Sequence, residues 1–119
     1  MRIPLAVAAI LSVVGCSHAP LHQTVESIVG LWQFPERGVW VEIDADGSTF
    51  QCRVAPSGTV FMAKGHFITD KSILWSDIWG VDQVRANENS ITLQGKWGAF
   101  TYVRATTPMN SACSTSDEA

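Results

Sequence analysis

Basic residues are scarce in this chain: eight Lys and Arg stand against eleven Asp and Glu, a formal charge of −3 over 119 residues. That balance excludes a binder of nucleic-acid phosphates and a polybasic lipid binder, both of which need clustered positive charge. Long apolar runs are lacking too. The run from Ile3 to Gly15 falls short of the roughly 20 residues that cross a hydrocarbon core, and polar Ser17-His18-Ala19-Pro20 follows it at once. From Gly30 to Ala105 no stretch of ten or more residues carries a convincing helical period. A nucleophile elbow, a phosphate-binding glycine loop, a dinucleotide fingerprint and zinc-type His or Cys spacing are all missing, so the expectation is a non-catalytic protein with no cofactor and no metal site. His66 has Asp70 four residues on, but nothing marks a Ser or Cys nucleophile for them. Asp77 with Asp82, or Asp44 with Asp46, would be the available carboxylate pairs, and the second pair sits in an ordinary Asp-Gly turn.

What is present begins with the first sixteen residues. Met1-Arg2 supplies one positive charge, Ile3 to Val14 an apolar stretch, and Val13-Val14-Gly15-Cys16 ends it on a small residue and a cysteine. This resembles the lipobox signal peptide of bacterial lipoproteins. The resemblance implies cleavage before Cys16, a diacylglycerol thioether on its sulfur and a fatty acyl group on its new amino terminus. Removing 15 of the 119 residues leaves 104, enough for one small domain. The acyl chains would hold it to a membrane, each buried CH2 contributing about 0.8 kcal/mol. Ser17, following the acylated cysteine in place of Asp, implies sorting to the outer membrane, facing the periplasm.

Residues 16–24 read as a lipidated tether. His18 and His22 stand four apart, but Pro20 lies between them and no Cys, Asp or Glu joins them, so a solvated linker is the expectation. With Cys16 consumed by lipid, Cys52 and Cys113 remain as an even pair in an exported chain. Two readings stand open: a disulfide stapling the polar, flexible tail 106–119 to the domain, or a buried thiol at Cys52, which alternates in phase with Phe50 and Val54.

Residues 25–105 alternate apolar and polar positions over short runs broken by turn residues, the pattern of antiparallel β-structure. Strands are predicted at Leu31 to Phe34, Val39 to Ile43, Thr49 to Val54, Val60 to Ile68 with a bend at Gly65, Ile73 to Trp79, Val81 to Ala86, Ile91 to Gln94 and Trp97 to Arg104. Val25 to Val29 would form one helical turn closing an end. The fold class is therefore all-β, a small up-and-down meander that curls into a barrel or a strongly bent half-barrel, because short turns make consecutive strands neighbours and closure removes open edges.

Gly30-Leu31-Trp32 at the first strand and Tyr102-Val103-Arg104 at the last resemble the opening Gly-x-Trp and closing Arg of lipocalins and related calycin barrels. The resemblance implies that Arg104 packs over Trp32 and seals one end. Five tryptophans in so short a chain offer either core packing or a ligand platform. Packing is favoured for Trp32, Trp75 and Trp79, whereas Trp40, sharing a face with Glu42, is expected to be the exposed one. The functional expectation is a membrane-anchored, monomeric binding lipoprotein that takes a small apolar or amphipathic ligand at the barrel mouth, with Trp75, Trp79 and Phe61 as walls and Trp40 as a further contact. The alternative is an envelope lipoprotein that binds a protein, either as a lysozyme inhibitor or as an assembly subunit, through Trp40, the Glu36-Arg37 turn and the segment 77–82.

Overall fold

The computed structural model of the chain describes residues 23–76 and 80–115. The lipobox with Cys16, His18, His22, Asp77 and Trp79 lie outside the described residues. Eight strands follow a single turn of 3-10 helix at Glu26–Ile28: β1 Gly30–Phe34, β2 Val39–Ile43, β3 Ser48–Val54, β4 Val60–Thr69, β5 Ser72–Trp75, β6 Val81–Ala86, β7 Ser90–Gly95 and β8 Gly98–Arg104. Each is antiparallel to the next, and β8 returns to β1 through Trp32 opposite Arg104 and Gln33 opposite Val103. The sheet is a closed, lipocalin-like up-and-down barrel, so the half-barrel alternative is set aside. Closure follows from the sequence because every connection is a short turn. Asp46 illustrates one: its carboxylate accepts hydrogen bonds from the Ser48 backbone N–H and hydroxyl at 2.9 and 2.7 Å, while Gly47 at φ +92° reverses the chain.

Apart from the end of β5, strand boundaries fall within one residue of expectation, and two differences bear on the site. β5 ends at Trp75 rather than running to Trp79, and the Trp75 amide donates to the Gly80 carbonyl at 2.8 Å to begin the turn. β8 starts at Gly98, leaving Trp97 in the turn. In β4 the register shift falls between Phe67 and Thr69, not at Gly65.

One end of the barrel is sealed. Ile28, buried in the 3-10 turn, offers its carbonyl to the Trp32 indole N–H at 3.0 Å. The Arg104 guanidinium lies 4.0 Å above the Trp32 ring and donates to the Val29 carbonyl at 2.7 Å. Gly30 makes room for it: a Cβ there would stand 2.6 Å from Arg104 Nη1, and its φ of +138° suits glycine alone. Gln23 completes the seal. Its amide donates to the carbonyls of Asp70 and Val84 and accepts from the Ala86 N–H. The reading of residues 16–24 as tether is thus corrected at Gln23, which is buried and belongs to the barrel.

The second correction concerns the faces of β2 and β3. Val39, Val41 and Ile43 point into the barrel, and their register partners on β3 are Arg53, Gln51 and Thr49. The apolar set Phe50, Cys52 and Val54 therefore faces outward. There it meets Leu31, Trp40, Val60 and Met62, and the tail adds Ala105 and Met109 to the patch. A short helix, α1 (Ser111–Thr115), carries Cys113 into a disulfide with Cys52, their Cα atoms 6.0 Å apart. Two expectations fall with this. Trp40 is buried at 8% exposure rather than exposed, and the tail is held to the barrel at Met109 and Cys113 rather than free. The physical reason is shared: β2 and β3 are covered on both faces, so apolar alternation does not say which face is inside.

Candidate functional site

The barrel is open at the end opposite the seal, where the turns after β1, β3, β5 and β7 gather. A cavity of about 410 Å³ enters there, within the roughly 300–1,000 Å³ typical of small-molecule sites. One wall is aromatic. Phe34 stands edge-on to Phe100 with ring centroids 6.1 Å apart, and tilts against Tyr102 at 5.6 Å. Such offset and edge contacts contribute about 0.5–1.5 kcal/mol per pair beyond area burial and hold the rings in place. Val39 and Leu93 add aliphatic surface, and Trp97, 64% exposed at the tip of the β7–β8 turn, stands at the entrance.

The facing wall is polar. Because β3 turns its hydrophilic side inward, Gln51 and Arg53 line the cavity, and Arg37 joins them from the β1–β2 turn. The Arg53 guanidinium lies 4.8 Å over the Phe61 ring. A carboxylate comes from β6: Asp82 accepts a hydrogen bond from the Trp75 indole N–H at 2.9 Å. Its carboxylate occupies the place where a side chain at position 95 would begin, so Gly95 is what lets it turn inward. Burial raises the Asp82 pKa above the ordinary carboxylate value, and the Trp75 N–H opposes that shift. The Tyr102 hydroxyl is also driven up, first by burial and then by the negative charge of Asp82.

No family model, curated protein or solved structure matches the chain. Its chemistry is therefore read from these side chains. Among the described residues no three His, Cys, Asp or Glu gather as a metal site. His66 is exposed on the outward side of β4, with no hydrogen bond to Asp70. Asp46 is engaged with Ser48, whose hydroxyl and N–H hold its carboxylate below the usual range.

The expected site residues are dispersed. Trp75 is buried inside the barrel at 2% exposure, but it supports Asp82 instead of walling the cavity. Phe61 stands at the rim, 43% exposed, beneath Arg53. Trp40 lies on the outside of the barrel, under the tail, and is no contact at the mouth. Trp32 and Arg104 meet at the sealed end. Phe34, Phe100 and Tyr102 were not foreseen, although strand alternation carries them: Phe34 is two residues from Trp32, and Tyr102 and Phe100 are two and four from Arg104, so all share the inward face.

Proposed function

We propose that this protein is an envelope lipoprotein, acylated at Cys16, whose barrel is a non-catalytic cup for a small apolar or amphipathic molecule. The observation that carries the reading is the asymmetry of the barrel: one end stoppered by Ile28, Trp32 and Arg104, the other open onto a cavity with an aromatic wall. Phe100 and Trp97 leave apolar surface exposed at that opening, which marks a binding surface rather than a packed core. The apolar wall supplies affinity without chemistry, and no side chain at the mouth forms a nucleophile–base pair among the described residues. Saturable displacement of an apolar fluorescent dye from the purified protein by decanol tests this; dye that binds nowhere, or decanol that never competes, removes the cup.

The anchor is part of the same reading. The seven chain steps from Cys16 to Gln23 reach at most about 25 Å, and Gln23 is bound at the sealed end. On this reading the sealed end faces the bilayer and the mouth opens away from it, into the periplasm from an outer-membrane anchor. Replacing Cys16→Ser is expected to abolish labelling by radioactive fatty acid and release the protein from membranes; a variant that still labels removes the anchor.

Exposed Trp97 at the entrance favours one second reading, docking of an envelope protein on the mouth. Inhibition of lysozyme at micromolar protein would support it, and no inhibition would leave the small-molecule cup.

A further inference from the structure

We infer that the cup selects an amphipathic anion, an apolar body with one carboxylate or phosphate head, and holds the head between Arg37 and Arg53. This rests on the cup reading above and adds a sign to it. Among the described residues the cavity lining carries two cations, Arg37 and Arg53, to one carboxylate, Asp82, against the trend of the chain. The protein is acidic overall, yet Lys96 also stands 5.6 Å over the ring of Trp97 at the cavity entrance. Neither arginine has an ion-pair partner among the described residues. Glu36 shares the turn with Arg37 but lies outside the lining.

The stance of Arg53 explains how it would hold a head group. The Arg53 guanidinium carbon is held 4.8 Å over the Phe61 ring, and no protein acceptor takes its N–H groups among the described residues. The edge of a guanidinium is what a carboxylate or phosphate engages in two parallel hydrogen bonds. Arg37 is carried by a turn whose backbone is pinned at both sides, its own amide donating to the Phe34 carbonyl at 3.1 Å and its carbonyl accepting from Val39 at 2.9 Å. Gln51 adds a neutral donor beside them.

Asp82 fixes the direction. It lies on β6, three strands round the barrel from Arg53 on β3, and its carboxylate repels a second anion. A head group entering this mouth is drawn to one wall and kept from the other, while the body of the ligand lies along Phe34, Leu93 and Phe100. A headless apolar molecule would gain only the second interaction, and a bare anion only the first.

The test is a charge series at constant chain length, followed by calorimetry on the purified full chain at low ionic strength with decanoate, decanol, decylamine and inorganic phosphate. Decanoate is expected to bind at least tenfold more tightly than decanol or decylamine, to weaken as salt is raised, and to outcompete inorganic phosphate. In the R37Q/R53Q variant the ratio of decanoate to decanol affinity should fall to about one. Equal binding of decanol and decanoate by the unaltered protein would overturn the anion selectivity and leave the cup standing. Phosphate binding as tight as decanoate would show that the body is not read, which also overturns the inference. A ratio unchanged in R37Q/R53Q would exclude these arginines. Failure of every amphiphile to bind would take down the cup itself.

Discussion

Removing the Cys52–Cys113 bridge is the perturbation whose cost follows most directly from the fold. The bond closes a loop of 61 residues, for which the chain-entropy model gives about 4 kcal/mol of stabilisation at 25 °C. The loop runs from β3 through β4 to β8 and into α1, so it encloses most of the barrel rather than a local turn. In the C52A/C113A variant the tail is expected to lose its hold on Trp40, Phe50 and Met62, because Ala105 and Met109 supply little apolar area to keep it in place alone. At roughly 4–8 °C per kcal/mol for a domain of this size, the melting temperature should fall by about 15–30 °C. Urea unfolding followed by tryptophan fluorescence gives the free energy and, independently, the slope, which should rise because an uncrosslinked chain exposes more surface. A loss below about 1 kcal/mol with an unchanged slope would refute the staple and the loop-closure argument together.

Other outcomes follow from the same geometry. Arg104→Ala removes a stacked cation and a hydrogen bond to the Val29 carbonyl, a loss of about 1–3 kcal/mol by urea unfolding; an unchanged midpoint would mean that the seal carries no stability. Asp82 has a folded pKa raised above its unfolded value of 3.8, so its favourable contribution is full below pH 3.8 and is lost as pH rises through the raised value. The stability of the unaltered protein minus that of Asp82→Asn should accordingly shrink as pH rises across that window, and a difference that grows with pH would contradict the desolvated carboxylate.

The barrel itself was legible because its signals are local. Asp46-Gly47, Pro56-Ser57-Gly58 and Asn87-Glu88-Asn89 mark turns by their own chemistry, and strands joined so closely have one simple arrangement. The two ends of the Gly30-Leu31-Trp32 and Arg104 pairing were legible for the same reason: first and last strands of a closed meander must meet. The faces of β2 and β3 were not. Trp40 and Cys52 look like an exposed residue and a core residue, but both lie under a tail whose docking depends on Cys113, 61 positions from Cys52. Inward Arg53 and Gln51 carry no signal of their own for the complementary reason, since polar residues lining a cavity and polar residues facing bulk water leave the same alternation. Trp97 fits a strand start as well as a turn by residue type, and Gly95 and Gly98 on either side of the pair Lys96-Trp97 make it a turn residue. Gln23 was missed because a polar residue after a tether gives no sign that three backbone groups 47 to 63 positions away await it.

The central claim is that the interior is an accessible, apolar-walled cup entered from one end. Methyl-detected NMR of the purified protein, titrated with decanol, measures this directly. Saturable shifts should appear at Val39 and Leu93, which line the cavity, and be absent at Ile28 and Ile43 toward the sealed end. Shifts confined to the outer patch around Val54 and Met62, or no saturation at any methyl, would contradict the account.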